Sequence, residues 1–380
     1  MQHTELLESA RAETGLDDFG DDSFREGLEI LVRALRDEAH LNPIGQMVLP
    51  QQVGHLLGQR LQIEDWYRRH PEIGDEPIDA PVIGLGLPRT GSTALTFLLA
   101  EDPNTRFLRQ WESAQPCPPP STVPAPDPRI AAAEAQAELQ AQAFPRMQQL
   151  VPSAPTGPFE CQDLMALDFK SHIFQAFAYV PSYSEWLIDA DLTPTYEYER
   201  RTLKLLQWGT PARPWRLKCP SHLLFLDHLD RVFPDARYVM THRDPAEVIV
   251  SVADLYAEVA TMFSDHIDLE YLGRLNVEHW SLGMQRTIAF RDRGADDRFY
   301  DIDFRAMQQD PIGEVRGLYA WLGEPVSEEF EAGMHRWWRE NAETRQPTVH
   351  PDPATFGIDL DEVRPLFADY TARTVAWTAR

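Results

Sequence analysis

The chain has 380 residues, 43% of them hydrophobic, and its 60 acidic against 35 basic side chains give a formal net charge of −25. A chain of this length can bury a large core and hold one large domain or two. The acidic balance argues against nucleic acid as a partner, because a polyanion needs a basic surface. The three scattered cysteines exclude a disulfide framework, and no apolar run is long enough for a transmembrane helix.

The first 75 residues are predicted to be helical. Leu28, Leu31 and Leu35 recur at helical spacing, and a second apolar set follows before prolines at 71 and 77 interrupt the pattern. The N-terminus lacks the basic and apolar segments of a signal peptide, which predicts a cytoplasmic protein. We therefore expect an N-terminal helical segment, residues 1–78, packed on the core of an α/β domain of residues 79–380.

Residues 81–95 contain the most informative pattern. An apolar run leads into a loop with Gly86 and Gly91, and an apolar, helix-like segment follows. A strand, a glycine-rich loop and a helix N-terminus in this order favour phosphate binding, because backbone N–H groups and the helix dipole attract an anion. The glycine spacing matches the nucleotide-binding P-loop, but Ser92 stands where that loop carries lysine, and Arg89 is the nearest replacement. A glycine-rich turn without a ligand is the alternative.

The middle of the chain predicts loops and helices. Prolines are too dense between residues 116 and 128 for a helix or a central strand, which predicts an extended loop. The Ala-, Gln- and Glu-rich residues 130–149 predict one helix, and further helices are expected within 161–179 and 195–208. Aromatic side chains concentrated between 159 and 186 suit an apolar or ring-bearing ligand, although most of them are expected in the core.

A second phosphate-binding pattern is centred on Arg243. A β-rich run ends at this residue, and Asp244, Pro245 and Glu247 are the residue types that open a helix. Arg243 and Ser251, about two turns into that helix, could hold a phosphate through a charge-assisted fork and a hydroxyl. The alternative is an ordinary ion pair between Arg243 and one of the two nearby carboxylates.

The order of these elements predicts the fold class. A further strand is expected at residues 298–304, with a helix opening after Asp310. Strand–helix alternation over residues 81–310 indicates an α/β fold, with a P-loop-like parallel sheet flanked by helices and an N-terminal helical extension.

The two motifs together resemble those of the sulfotransferase superfamily, which transfers a sulfuryl group from 3′-phosphoadenosine-5′-phosphosulfate (PAPS) to a hydroxyl or amine. In that family a Pro-Arg/Lys-x-Gly-[ST]-[ST] loop binds the 5′-phosphosulfate, and residues 88–93 here read Pro-Arg-Thr-Gly-Ser-Thr. A strand-end arginine followed eight residues later by serine binds the 3′-phosphate, as Arg243 and Ser251 would. Lys218, in a third matching block, resembles the lysine that contacts the transferring sulfuryl group. The likeness is closest to bacterial members with a Leu-Pro-Arg-Thr-Gly-Ser-Thr loop.

This resemblance implies PAPS as co-substrate and a set of residues that bind it. The expected donor-binding residues are Arg89, Thr90, Gly91, Ser92, Thr93, Ala94, Arg243 and Ser251. Sulfuryl transfer is an in-line displacement in which the protein positions the reactants and offsets charge on the leaving phosphate. No metal is expected, because no His/Cys/Asp cluster has ligand spacing.

Two residues are candidates for the base that takes the acceptor's proton, beside Lys218 as the third catalytic residue. Glu112 follows the loop's helix where tyrosylprotein sulfotransferases have a glutamate base, and desolvation would raise its basicity. His222 lies four residues after Lys218. In the cytosolic small-molecule sulfotransferases the histidine lies only two residues after the lysine. A further group on one loop–helix segment could line the acceptor pocket: Glu160, Asp163 and His172.

The acceptor is expected to be a small neutral or cationic molecule, apolar or aromatic, because the body of the protein is acidic. Two alternatives stay open. A P-loop kinase would need the lysine that Ser92 replaces and a magnesium-binding aspartate. A non-catalytic 3′-phosphoadenosine nucleotide-binding protein would not need Lys218. The sequence leaves open the acceptor's identity, O- or N-sulfation, a homodimer and any role of the N-terminal helices in binding substrate.

Two features near the C-terminus bear on the same site. The tail around His350, Phe356 and Tyr370 resembles the family's C-terminal segment, which closes over the donor. Related enzymes often have tyrosine where Phe304 stands, so a hydroxyl contact from this position is not expected here.

Overall fold

The computed structural model describes residues 2–151, 154–344 and 351–379. Five parallel strands form one sheet in the order β2-β3-β1-β4-β5. They are β1 (Val82–Gly86), β2 (Arg106–Phe107), β3 (Trp215–Lys218), β4 (Arg237–His242) and β5 (Phe299–Asp303). The predicted α/β fold with a parallel sheet is confirmed.

The helices fall into three groups along the chain. Those before the sheet and up to β3 are α1 (His3–Thr14), α2 (Phe24–Asp37), α3 (Pro43–Arg69), α4 (Ser92–Leu99), α5 (Gln110–Ala114), α6 (Pro128–Ala143), α7 (Pro145–Leu150), α8 (Gln162–Ala166), α9 (Ile173–Phe177), α10 (Pro181–Leu187) and α11 (Thr193–Gln207). Those between β3 and β5 are α12 (Leu226–Val232), α13 (Pro245–Thr261) and α14 (Leu269–Phe290). Those after β5 are α15 (Phe304–Gln309), α16 (Pro311–Leu322), α17 (Glu328–Thr344), α18 (Leu360–Leu366) and α19 (Ala368–Trp377). Within the described residues, no helix is both long and apolar enough to cross a membrane.

Hydrophobic side chains of the sheet are buried on both of its faces. Successive side chains of a strand point to opposite faces. Val82 and Val239 belong to a smaller cluster under α4, α16 and α17, whereas Ile83, Tyr238 and Met240 belong to the larger cluster on the other face. β1 is the central strand, so the loop that follows it lies between the ends of β3 and β4.

The N-terminal helices α1–α3 pack into the larger cluster, together with residues of the sheet. The Arg60 side chain in α3 is fully buried, donates to the carbonyl oxygen of Leu167 at 3.1 Å and pairs with Asp168 at 3.2 Å. The Tyr67 hydroxyl donates to the Arg201 carbonyl oxygen at 2.8 Å. The helical extension is thus confirmed, while its division from the rest at residue 78 stays a prediction.

The prediction of a single helix over residues 130–149 is wrong, because the structure has two helices there. α6 ends at Ala143, Phe144 adopts φ −131° and ψ 67°, and α7 begins at Pro145. Proline lacks a backbone N–H and disfavours the helical conformation in the residue before it, which explains the break. The strand expected at 298–304 ends one residue early, because Asp303 caps α15 by accepting from the Arg305 N–H at 2.8 Å.

Candidate active site

The loop after β1 is fixed against β4 by one glycine and one threonine. Gly86 has φ 130°, and a Cβ at this position would come within 2.5 Å of the Thr241 carbonyl oxygen, so the backbone approach requires glycine. The Thr90 hydroxyl donates to the Leu87 carbonyl oxygen at 2.7 Å and lies 2.6 Å from the Thr241 hydroxyl. The loop therefore has a defined conformation at the carboxyl edge of the sheet.

α4 begins at the end of this loop, with Gly91 as its N-cap in the left-handed conformation at φ 89°. No side chain caps this terminus. The N–H groups of the first turn, at Ser92, Thr93 and Ala94, consequently have no acceptor within the helix. The positive end of the helix dipole and these N–H groups make the loop suitable for an anion.

Arg89 and Arg243 lie next to each other beside the loop. Arg243 Nη1 donates to the carbonyl oxygen of Arg89 at 3.0 Å, and Arg89 Nε donates to the Ser251 Oγ atom at 3.3 Å. Burial and the positive charge of Arg243 lower the pKa of Arg89. Like charges held this close are stabilised by an anion that contacts both. The structure thus brings Arg89, Arg243 and Ser251 together from two separate sequence motifs.

Arg243 also has partners that belong to the protein itself. Glu247 pairs with Arg243 Nη2 at 2.9 Å, which is the ion pair considered as the alternative from the sequence. The guanidinium group of Arg243 lies 4.6 Å from the centre of the Phe304 ring. Phe304 packs against Gly91 as well, since a Cβ on that glycine would lie 3.2 Å from the ring. Nothing in the spacing of the sequence indicated that Phe304 connects the two motifs.

Lys218 is the last residue of β3 and lies opposite Gly84 of β1. Its ammonium group donates to the Glu160 carboxylate, and the other carboxylate oxygen accepts from Gln162 Nε2 at 2.7 Å. The backbone N–H of Cys161 donates to the Lys218 carbonyl oxygen at 3.1 Å. The Lys218 side chain is only 7% exposed, whereas that of Glu160 is 28% exposed and can therefore reach a ligand. Glu160 was expected only to line a pocket, and its pairing with Lys218 is new.

Glu112 holds the start of α5 rather than contacting Lys218. Its buried carboxylate accepts from Arg106 Nη2 at 3.2 Å, from Arg109 Nη1 at 3.1 Å and from the Arg109 backbone N–H at 3.3 Å. Among the residues that the structure describes, all of its hydrogen bonds and ion pairs go to these two arginines. It lines a cavity of about 510 Å³ at the β2 edge of the sheet.

His222 lies in a short helical turn after β3 and is fully buried. Its Nδ1 atom is 3.0 Å from the Tyr196 hydroxyl, and burial lowers the pKa of the imidazole to about 3. Of the other two residues expected to line the acceptor pocket, His172 is buried and Asp163 is half-buried. Burial raises the pKa of Asp163 to about 6, although a 2.8 Å hydrogen bond from Ser113 opposes the shift. Burial keeps His172 neutral by lowering its pKa well below the usual range.

The C-terminal helices contact the strand end that carries Arg243. The Tyr370 hydroxyl in α19 lies 3.1 Å from Nδ1 of His242, the residue before Arg243. Arg364 in α18 pairs at 3.2 Å with Asp244, the N-cap of α13. The tail is therefore adjacent to the Arg89–Arg243 pair, while His350 lies outside the described residues.

Comparison with known proteins agrees with this geometry. A sequence profile of the sulfotransferase family matches residues 81–328. The chain belongs to this family. Its fold is similar to that of sulfotransferase STF9 from Mycobacterium avium, with 32% identity, a TM-score of 0.90, and coverage of 98% of this chain and 96% of that one. Sulfotransferase STF1 from Mycobacterium tuberculosis H37Rv is similar at 31% identity and a TM-score of 0.80, over 96% of this chain and 98% of that one. No significant match is found among curated proteins.

In this sulfotransferase family member, the candidate site therefore has two parts on either side of β1. The β4 side carries the phosphate-binding candidates, namely Arg89, Thr90, Gly91, Ser92, Thr93, Ala94, Arg243 and Ser251. The β3 side carries the Lys218–Glu160 pair. Among the described residues, no hydrogen bond or ion pair joins the side chain of Glu112 or of His222 to either group.

Proposed function

We propose that the protein transfers a sulfuryl group from PAPS to a hydroxyl or amine of a small acceptor, by in-line transfer without a metal at the reacting atoms. The observation that carries this proposal is the meeting of Arg89, Arg243 and Ser251 beside an uncapped helix N-terminus. Such a site suits a ligand with two separate phosphate groups, which PAPS has and most nucleoside triphosphates lack.

The donor would occupy the β4 side of the site. Backbone N–H groups at residues 91–94 and the hydroxyls of Ser92 and Thr93 bind the 5′-phosphosulfate. Arg243 and Ser251 bind the 3′-phosphate through a charge-assisted fork and a hydroxyl. Arg89 lies between the two phosphates, so an anion on either side relieves its repulsion with Arg243. Sequence resemblance to the family supports the same assignments.

The Lys218–Glu160 pair would perform the transfer. Glu160 accepts the proton of the acceptor hydroxyl, whose oxygen then attacks sulfur. The bond between sulfur and the bridging oxygen breaks, and its electron pair leaves with the 5′-phosphate to give 3′-phosphoadenosine-5′-phosphate. Lys218 offsets the negative charge that develops on the sulfuryl and phosphate oxygens. The burial of the Lys218 side chain strengthens that interaction, because water screens it less.

Glu112 and His222 remain the alternatives for the base, and their surroundings favour Glu160 over both. The Glu112 carboxylate is buried and already accepts from three N–H groups of Arg106 and Arg109. His222 is fully buried, which separates it from an acceptor. Glu160 is partly exposed and already holds the lysine expected at the sulfuryl group.

The acceptor would be a small apolar or aromatic molecule and not a nucleic acid. The formal charge of −25 disfavours a polyanionic acceptor. Tyr256, on α13 one turn beyond Ser251, lies close enough for the charge of Glu160 to raise its pKa, after burial as the main cause. An aromatic side chain at this position is suited to pack against a ring-bearing acceptor.

Calorimetric titration with 3′-phosphoadenosine-5′-phosphate, and with its analogue lacking the 3′-phosphate, tests the donor assignment directly. We expect tight binding of the 3′-phosphorylated nucleotide in the absence of metal, and binding weakened at least tenfold for the analogue. Equal affinity for the two nucleotides would remove the assignment of Arg243 and Ser251. Preferential binding of ATP with magnesium would favour the kinase alternative instead.

A further inference from the structure

Three side chains that are far apart in sequence meet beneath the Lys218–Glu160 pair. The Cys161 sulfur, a Glu199 carboxylate oxygen and a His222 imidazole nitrogen all lie within 4.8 Å of one another. Cys161 precedes α8, Glu199 lies in the middle of α11, and His222 belongs to the turn after β3. All three residues are at most 1% exposed. This group is called the Cys–Glu–His cluster below.

Two atoms of the Cys–Glu–His cluster have unused hydrogen-bonding capacity. Glu199 Oε2 and His222 Nε2 are buried and have no hydrogen-bond partner among the residues that the structure describes. A buried polar atom without a partner is costly, so its position in a native interior calls for an explanation. The two atoms lie in the same cluster and do not hydrogen-bond each other. A cation between them would satisfy both.

We propose that the Cys–Glu–His cluster binds one zinc ion. Thiolate sulfur, imidazole nitrogen and carboxylate oxygen are the three ligand types that zinc takes in proteins, at about 2.0–2.3 Å. Tetrahedral zinc would bring these ligand atoms to about 3.3–3.8 Å from one another, so modest side-chain shifts close the site. The thiol and carboxyl protons are released to solvent on binding, and the thiolate and carboxylate then balance the 2+ charge. Water fills the fourth position.

The surroundings of His222 suit this role. Its Nδ1 atom lies 3.0 Å from the Tyr196 hydroxyl. With zinc on Nε2, the N–H at Nδ1 donates to the tyrosine oxygen, which fixes both the tautomer and the direction of the ring. Metal-bound histidines nearly always have such a partner on the second nitrogen. The orienting group is therefore in place without a rearrangement.

The zinc ion would stabilise the two segments that carry the proposed catalytic pair. Cys161 directly follows Glu160, and its backbone N–H donates to the Lys218 carbonyl oxygen at 3.1 Å. His222 lies four residues after Lys218. A bond from the same ion to both segments would hold Glu160 and Lys218 at a fixed separation, without contacting the reacting atoms. The sequence could not indicate this site, because its ligands have none of the usual spacings.

Metal analysis of the untagged protein tests the zinc site independently of the donor and of activity. Purified protein is incubated with zinc, desalted and measured by inductively coupled plasma mass spectrometry. We expect one zinc ion per chain, and replacement by cobalt should give a thiolate-to-cobalt absorption band. A wild-type protein that stays far below one ion per chain and shows no cobalt band would overturn the proposal, since water would then occupy the space.

Variants identify the ligands. Cys161→Ser and His222→Gln should lose the zinc ion and the cobalt band, while Cys117→Ser, which changes another buried free cysteine, should keep both. Tyr196→Phe keeps all three ligands and should lower zinc affinity about 10–100-fold. Circular dichroism checks folding, and if the ligand variants do not fold, the wild-type cobalt spectrum and Tyr196→Phe decide. Unchanged zinc content in folded Cys161→Ser would contradict the assignment.

Discussion

Arg243 contacts three different groups at the carboxyl end of β4. It donates to the Arg89 carbonyl oxygen, pairs with Glu247 and stacks on Phe304. The Glu247 side chain is 49% exposed, so this ion pair contributes little to stability and is easily exchanged for a phosphate. The same contacts that position the guanidinium thus leave it available to a ligand.

Arg243→Ala should weaken binding of 3′-phosphoadenosine-5′-phosphate by about 2–4 kcal/mol, because a charge-assisted fork to the 3′-phosphate is lost. Isothermal titration calorimetry measures the change. Glu247→Gln is the matched control, since it frees Arg243 from its carboxylate and should leave affinity equal or higher. Unchanged affinity in Arg243→Ala would assign the arginine to the Glu247 pair alone.

Glu160→Gln should lower kcat with a phenolic test acceptor by about 10²–10⁴-fold, as expected for loss of a general base. Donor affinity should change little, because the substitution lies on the β3 side of the site. Glu112→Gln serves as the comparison and should retain most of its turnover once its folding is verified. If instead Glu112→Gln is inactive and Glu160→Gln is not, the base is Glu112 and the sequence interpretation was better.

Motifs that lie within one short stretch could be predicted at the residue level, whereas pairs across the fold could not. The Asp244–Pro245 helix start was predicted because the residue types of a helix N-terminus are local. The Lys218–Glu160 contact joins residues 58 positions apart, and nothing in the spacing indicates it. The sequence also does not show that Arg106 and Arg109 surround the carboxylate of Glu112, which stays a candidate for the base.

α14 carries a buried histidine next to the segment that precedes α9. His279 Nδ1 lies 3.2 Å from His172 Nε2, and Gln175 lies within 3.4 Å of both rings. Burial, followed by the charge of Arg286, lowers the pKa of His279 to about 4. The two rings are therefore neutral, and protonating either one opposes this packing.

Wild-type stability should fall as the pH is lowered from about 6.5 toward 4. The pKa of His279 is about 4 in the folded chain and about 6.5 in the unfolded one, so the unfolded state binds more protons in this range. The full contribution, about 3 kcal/mol, is present above pH 6.5, and about 2 kcal/mol of it is lost by pH 5. Urea unfolding at pH 7.5 and 5 measures it. His279→Gln should reduce the difference between the two pH values, whereas the exposed His335→Gln should not.

Helix boundaries show where sequence patterns stop being informative. The composition of residues 130–149 is uniformly favourable for a helix, and only Pro145 reveals the break between α6 and α7. α6 has no buried residue, so no hydrophobic stripe was present to define its register. In contrast, β1 and β4 were found because both of their faces are buried and their sequences are correspondingly apolar.

At the scale of the whole molecule, the N-terminal helices and one face of the sheet contribute to the same hydrophobic cluster. Arg60 joins α3 to the segment after α8 through a hydrogen bond to the Leu167 carbonyl oxygen at 3.1 Å and its ion pair with Asp168, and it also donates to the Phe19 carbonyl oxygen at 2.7 Å. Contacts of this kind were invisible in the sequence, where residues 1–78 differ from the rest only by their helical pattern. They indicate that the extension stabilises the domain beneath it.

Arg60→Met should lower the free energy of unfolding by about 3–5 kcal/mol, because Asp168 would be left buried without this partner. Urea denaturation followed by circular dichroism should show one shifted transition for the whole chain. The exposed Arg33→Met is the control and should change stability by less than about 0.5 kcal/mol. Two separate transitions, only one of them shifted, would mean that the N-terminal segment unfolds independently.

The central position of β1 has a consequence for how such a protein can diversify. The nucleotide-binding candidates depend on β1, β4 and α13, whereas the residues proposed to act on the acceptor oxygen, Glu160 and Lys218, lie after β2 and at the end of β3. Substitutions in those segments can change which molecule is modified without altering how the nucleotide is held. One half of the sheet can therefore stay constant through evolution while the other acquires new substrates.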